Sequence, residues 1–419
     1  MGRRYAAADA FADPAVCLEV ATFFGSVEAF ATLSASTLPA CRQASRLLRM
    51  PYLYALVGGG LRCSSATPWL GSCWSGVRIN LGTGRPERLP PTLNGAARVA
   101  GAVRVVEADG HVFVLTELIL RHKKGFALEA FDPRRRTWEE RIPRRQGEPD
   151  LLVQGDGSLF LSYNSEVEGP RGSTLELNFC RYDVLSGEAE ALPPIPTLRC
   201  GGGHCVLEGA LYVAGGYRFP DGAGALPALA DFDRFVPARR AWERLPPMPT
   251  PRLLCRAVAS GGCVYTVGGL GPQGWSALER FDLLEGAWTS LAALPTPRSP
   301  SAQVLSCQGS IYVFGAAAGT PSRELLVERF DPGAGRWSRL RSLDGHEGES
   351  GIESGVKAVC YQDRVFTMRA QAGGRAKSAR EPLQVVVEEY CERRSADREL
   401  ARLTALHGHS GLAVATGPE

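Results

Sequence analysis

Histidines, cysteines and hydroxyl nucleophiles are the first residues to weigh for chemistry. The chain has six histidines, His111, His122, His204, His346, His407 and His409. Only His407 and His409 stand close together, either side of Gly408, and no further ligand accompanies them at metal-binding spacing. Twelve cysteines, at 17, 41, 63, 73, 180, 200, 205, 255, 263, 307, 360 and 391, form no CxxC pair. Their spacing gives neither a zinc site nor a disulfide framework. Cys205, Cys255, Cys263, Cys307 and Cys360 fall in or beside apolar runs, where a thiol packs as a small hydrophobe. No GxSxG nucleophile elbow occurs. Gly201-Gly202-Gly203 precedes a strand pattern, not a helix, so it is not a phosphate-cradling loop. The expectation is a non-enzymatic chain with no catalytic residue, no metal and no cofactor. Recognition chemistry is left, and which side chains carry it depends on the elements that hold them.

Those elements repeat. Phe131 leads to Trp138, Phe235 to Trp242, Phe281 to Trp288 and Phe330 to Trp337, each seven residues on. Tyr182 and Tyr390 share the phase, with Ala189 and Asp397 in the tryptophan position, and a weaker unit centres on Asn80. The seven anchors are separated by 46 to 60 residues, close to the ~50-residue period of a propeller blade. Upstream of each lies a short apolar run, as in LYVAGG (Leu211 to Gly216) and VYTVGG (Val264 to Gly269). Such runs read as strands buried on both faces. The doublets Gly215-Gly216 and Gly268-Gly269 suit a backbone that needs positive φ or a close neighbour. Each unit therefore supplies four antiparallel strands, and a single unit cannot bury its own faces. Trp138, Trp242, Trp288 and Trp337 are expected to wedge between units.

The ends of the pattern predict its closure. Residues 52–60 begin with a second strand, and Ser410 to Thr416 reads as an orphan first strand. Pairing the two removes an open sheet edge. The count is then seven units, with six as the alternative.

The glycine doublets, the ERFD strands and the spaced tryptophans resemble kelch repeats. The resemblance covers roughly residues 52–416. It is strong in units four to six, moderate in unit two and weak in units one, three and seven, and Val236 stands in unit four where aspartate is usual. It implies an all-β, kelch-type β-propeller whose binding face is built from the loop after the doublet and from the linker between blades. Candidates on the first loop are Arg218, Gln273 and Trp275; on the second, Arg199, Arg252 and Arg298. Arginine and tryptophan dominate interface energetics, and a guanidinium holds a carboxylate through two parallel hydrogen bonds. The linker arginines have a second reading, as repeat residues that bond neighbouring loops. The resemblance further implies a protein or peptide ligand, with the propeller serving as the substrate-recognition part of a cullin–RING ubiquitin ligase adaptor. Actin or other cytoskeletal binding is the alternative, and an oxidase-like propeller enzyme a distant third. No BTB sequence is recognisable, so the resemblance implies no direct cullin-3 binding by this chain.

Residues 1–50 form a separate segment ahead of the propeller at 51–419. Val16, Val20, Phe23, Phe24, Val27, Phe30 and Leu33 recur at three- and four-residue steps, predicting an amphipathic helix after Asp13-Pro14. A second short helix is predicted from Pro39 to Met50. In kelch relatives this is where the tail of a helical BACK region would lie. A net charge of +3 gives no reason to expect nucleic acid. No apolar run approaches the ~18 residues of a membrane span. The scattered cysteines and the absence of a signal-peptide pattern suggest a reducing compartment, the cytoplasm or nucleus.

Overall fold

In the computed structural model, the described residues are 52–417 apart from 62–69, 82–85, 91, 94–98, 121–122, 156, 170–171, 219–226, 273–274, 299–301, 319–323, 345–355, 372–382, 392–397 and 406–410. The predicted N-terminal helices, Gln273, and the His407/His409 pair lie outside them.

The described residues form seven radial sheets. Blade 1 holds β1 (Tyr52–Leu61), β2 (Leu70–Asn80) and β3 (Pro86–Arg88). Blade 2 is β4 (Val99–Ala108), β5 (His111–Leu120), β6 (Lys123–Asp132) and β7 (Thr137–Gln146). Blade 3 is β8 (Glu148–Gly155), β9 (Ser158–Gly169), β10 (Gly172–Asp183) and β11 (Ala189–Leu192). Blade 4 is β12 (Gly203–Leu207), β13 (Ala210–Ala214), β14 (Phe232–Val236) and β15 (Ala241–Leu245). Blade 5 is β16 (Arg256–Ser260), β17 (Cys263–Val267), β18 (Leu278–Asp282) and β19 (Ala287–Ser290). Blade 6 is β20 (Gln303–Cys307), β21 (Ser310–Gly315), β22 (Glu324–Asp331) and β23 (Arg336–Arg339), with β24 (Leu343–Asp344) added on β22. Blade 7 is β25 (Val356–Tyr361), β26 (Arg364–Gln371), β27 (Leu383–Tyr390) and β28 (Arg398–Ala405). The last strand, β29 (Gly411–Gly417), returns to blade 1 and pairs antiparallel with β1, Tyr52 opposite Gly417. The count is seven among the described residues, and the ring closes between β1 and β29 as the sequence predicts. The innermost strands succeed one another around the axis as β29, β4, β8, β12, β16, β20 and β25.

Among the described residues there is no single core. Seven apolar clusters each bridge two adjacent blades, for example Tyr212, Phe232 and Met248 of blade 4 with Val264, Phe281 and Trp288 of blade 5. The seventh joins Phe366, Met368 and Val387 of blade 7 to Leu53, Ala55 and Ile79 of blade 1. β13 and β17 are buried along their whole length, which is why they carry continuous apolar sequence.

The seven-residue spacing has a local cause. Phe131 sits opposite Trp138, Phe235 opposite Trp242, Phe281 opposite Trp288 and Phe330 opposite Trp337 across the turn between third and fourth strands. The aspartate after the anchor shapes that turn. Asp132 accepts from the N–H groups of Arg134 and Arg135, Asp183 from Leu185 and Ser186, and Asp282 from Leu284 and Glu285. This is an Asx turn. Blade 4, with Val236, uses a 3₁₀ turn over Pro237–Arg239 instead.

One expectation is corrected. Cys307 and Cys360 are not two isolated hydrophobes: they form a disulfide with Cα atoms 5.7 Å apart. Each lies near the end of an innermost strand, β20 and β25, so the 53-residue separation is one repeat and the bond staples blade 6 to blade 7. Cys180, Cys200, Cys205, Cys255 and Cys263 are free. Burial pushes the Cys180 thiol up to about 11 and those of Cys200 and Cys205 to about 12, so these three stay protonated and unreactive.

Candidate interaction face

On one side of the ring the loops after the doublets meet the linkers between blades. Short antiparallel bridges tie them together: Cys200 with Tyr217, Leu253 with Leu270, and Arg298 with Ala317. The doublets allow this approach. Gly268 and Gly269 have φ of +63° and +88°, and a Cβ on Gly269 would stand 2.7 Å from that of Cys255. Gly215 and Gly216 are also left-handed, and a Cβ on Gly215 would meet the Arg252 carbonyl at 2.5 Å.

The three linker arginines lie beneath this layer. Arg252 is fully buried. Its Nη1 donates to the carbonyls of Gly268 (3.1 Å) and Ala277 (3.0 Å), and its Nη2 to Glu279. Its backbone belongs to the previous blade, accepting from Gly216 N–H (2.9 Å) and donating to Leu229 O (3.0 Å). Arg252 is thus a rivet from blade 4 into blade 5. Arg199 repeats the design, with Nη2 on Asp233 at 2.7 Å and on Val213 O at 3.0 Å. Arg298 does so on Glu328 at 2.9 Å. The acidic partner stands two residues before the aromatic anchor each time. All three guanidiniums are 3% exposed or less, so a ligand on the surface does not reach them. Of the two readings the sequence left open, the geometry gives them the structural one.

The tryptophans act on the start of the same linkers. Each indole N–H donates to a backbone carbonyl just after the preceding blade: Trp138 to Pro90 (2.8 Å), Trp242 to Pro193 (2.9 Å), Trp288 to Pro246 (2.8 Å) and Trp337 to Ala292 (2.8 Å). The wedge is therefore also a hydrogen-bonded staple. Only Trp138 is buried outright; the other three are half-buried.

The remaining sequence candidates lie at the surface of the face. Arg218 is exposed beside Tyr217, and Trp275 is half-buried in the loop after Gly268-Gly269. Residues that the sequence reading did not single out stand with them. Leu254 and Leu270 expose 38% and 42% of their surfaces. Beneath Gly201, whose N–H donates to Asp150 Oδ1 at 3.2 Å, four consecutive blades bring Arg104, Asp150, His204 and Arg256 together. Burial holds the His204 imidazole down at about 4, and Arg104 and Arg256 reinforce this. Burial pushes the Asp150 carboxyl up. Arg256 is solvent-exposed, yet desolvation still lowers its pKa. A side chain in an opening walled by protein has both properties. Its Nε donates to Ala302 O of blade 6 at 3.1 Å. The missed residues had a signal: Gly201 and Leu254 occupy the same place in two aligned repeats, seven residues before the first turn of each blade.

Among the described residues no group of three or more His, Cys, Asp or Glu side chains could hold a metal ion. No described helix is long and apolar enough to cross a membrane.

Comparison with known proteins fits this architecture. The family model described as the Kelch motif matches residues 198–249 and 251–295, blades 4 and 5 with their linkers. Human (Homo sapiens) Kelch-like protein 34 is 28% identical over 228 residues, covering 40% of this chain and 35% of that protein. Mus musculus Kelch-like protein 35 is 30% identical over 203 residues, 47% of this chain and 32% of that one. Rattus norvegicus Kelch domain-containing protein 8B is 30% identical over 167 residues, covering 38% and 46%. The chain spans about a third of the length of the two Kelch-like relatives. The solved structure of YjhT superimposes with a TM-score of 0.50 at 14% identity, over 72% of this chain and 99% of that one, a likeness of fold alone. With seven closed blades and two matched motifs, the chain is a kelch-repeat β-propeller protein.

Proposed function

We propose that this propeller is a non-enzymatic interaction module that holds a segment of a partner protein on the face described above, and that it serves as the substrate-recognition part of a cullin–RING ubiquitin ligase adaptor in the cytoplasm or nucleus. One observation carries the binding reading. The buried rivets at Arg199, Arg252 and Arg298 hold a rigid loop layer whose outward side chains, Arg218, Leu254 and Leu270, are exposed. Rigidly positioned loops are where repeat scaffolds place their binding residues. The ligase setting is supported by the resemblance to Kelch-like proteins and is a separate step.

Proximity labelling in cells with the whole chain tests both parts. A partner set lost on the double substitution Arg218→Ala, Trp275→Ala, with the melting temperature kept, supports the face. Partners whose abundance rises when cullin neddylation is blocked support the ligase setting. A partner set indifferent to both treatments removes the reading.

A further inference from the structure

Leu254 is held in a backbone conformation that its side chain disfavours. Its φ is +55°, in the left-handed region that a residue with a Cβ disfavours. The other described non-glycine residues with positive φ are Asp109, Arg136, Glu208, Arg240, Gln308, Gln362 and Asp363. All of those sit in tight hairpin turns, where that geometry is the turn itself. Leu254 sits in a linker, and the equivalent position of the preceding blade is Gly201, φ +63°. Glycine was therefore available to this position, and leucine stands there with its side chain exposed.

The surroundings say what the leucine meets. A Cβ placed on Gly201 would lie 2.9 Å from Tyr217 Cε1 and 3.0 Å from Leu254 Cδ2. Tyr217 and Leu254 thus come together over the bare backbone of Gly201. Leu254 is locked there by its N–H bond to Gly201 O at 2.7 Å. Leu270, exposed as well, is paired through the backbone with Leu253 next door. Cationic side chains flank this apolar shelf: Arg218 follows Tyr217, and Arg256 follows Leu254 by two residues, both exposed. Arg104 and His204 stand behind Arg256. Two acids act on Tyr217: Asp150 is turned inward on the Gly201 N–H, and Glu148 is paired with Lys124 at 2.6 Å. Strained backbone that persists in a folded protein clusters at binding sites, and two exposed cations, Arg218 and Arg256, stand beside this instance.

We propose that Tyr217, Leu254 and Leu270 form a docking shelf for an apolar side chain of a partner peptide segment, and that Arg218 and Arg256 select a carboxylate beside it. This rests on the protein-interaction reading and narrows it to one place and one chemistry.

The whole chain is screened against a displayed library of random 12-residue peptides, and recovered peptides are titrated by fluorescence anisotropy. The expected motif is an aliphatic or aromatic residue within two positions of Asp or Glu. Leu254→Gly should weaken binding at least tenfold while leaving the melting temperature equal or higher, because it relieves the backbone. Arg256→Gln should reduce the preference for the acid over its amide counterpart. Recovered peptides that bind Leu254→Gly as well as the parent overturn the shelf but leave the interaction reading standing. A motif without an acid overturns the role of the arginines. A library that yields no binder counts against the interaction reading itself.

Discussion

Blades 4 to 6 and the rest of the ring build the same joints from different residues. In blades 4, 5 and 6 a linker arginine enters the next sheet and neutralises a buried acid, Asp233, Glu279 or Glu328. A tryptophan staples each of these blades to the one before. Blade 7 has neither residue in its usual place. There Tyr390, the anchor itself, donates its hydroxyl to Arg341 O at 2.7 Å. Its buried acid, Glu388, is met at 2.8 Å by Arg369 from the second strand, and Arg369 also reaches the Asp344 carbonyl in the preceding linker. In blade 3, Ala189 replaces the tryptophan, and Tyr182 packs edge-on against Phe113 of blade 2 at 6.0 Å. The strands differ too: β9 and β10 have 12 residues each, where β13 and β14 have five. Blades 4 to 7 each supply a donor into the previous linker and a cation on the third-strand acid, and more than one residue type fills each place; blade 3 has Cys180 where that acid would stand.

The largest effect should come from a regular joint. Arg252→Ala leaves Glu279 charged and buried, and is expected to cost about 3–5 kcal/mol in chemical denaturation. Arg136→Ala, which breaks an exposed ion pair with Glu87 between blades 2 and 1, should cost under about 1 kcal/mol. Equal losses would mean that the two joints do not differ. Trp288→Ala should cost about 3–5 kcal/mol, the range for truncating a large packed ring, and should raise amide exchange on both sides of the blade 4–5 joint. Reducing the Cys307–Cys360 bond should cost about 2–4 kcal/mol. The melting temperature of Cys307→Ser should then no longer respond to reductant. Tyr390→Phe removes one hydrogen bond and should cost about 1 kcal/mol; a loss as large as that of Trp288 would make the two staples equivalent.

A separate effect is one of pH. His204 titrates near 6.5 when unfolded and at about 4 when folded. Between those values the unfolded chain binds the extra proton, so stability falls as pH drops from about 6.5 to about 4 and is level below that. His204→Asn should flatten this limb of the stability–pH curve; an unchanged limb would place the titration elsewhere.

Much of this was legible in the sequence because a repeat multiplies weak signals. Tyr182, Tyr390 and even Asn80 fall at the ends of third strands because the period carries the phase where residue identity fails. The face was harder to read. Whether Arg252 points out to a ligand or in toward Glu279 depends on how closely the doublet loop folds over the linker, and that is a tertiary distance. The Cys307–Cys360 bond was hidden for a different reason. Spacing rules look for local pairs, whereas in a ring a separation of one repeat makes two residues neighbours. Leu254 was passed over because its alignment with Gly201 gains meaning only once both are seen to have positive φ.

The pairing of Tyr52 with Gly417 makes the propeller a nicked circle. In blades 2, 4, 5, 6 and 7 the first and second strands are joined by two-residue turns with positive φ: Asp109-Gly110, Glu208-Gly209, Gly261-Gly262, Gln308-Gly309 and Gln362-Asp363. At blade 1 that turn is the one missing link, and hydrogen bonds between β1 and β29 stand in for it. The gap lies at the turn end of the strands, a strand length of roughly 15–25 Å from the doublet loops. A two-residue Asn-Gly bridge across it, with new termini cut at one of the other turns, would give a circular permutant in which any blade can come first while the loop face stays untouched.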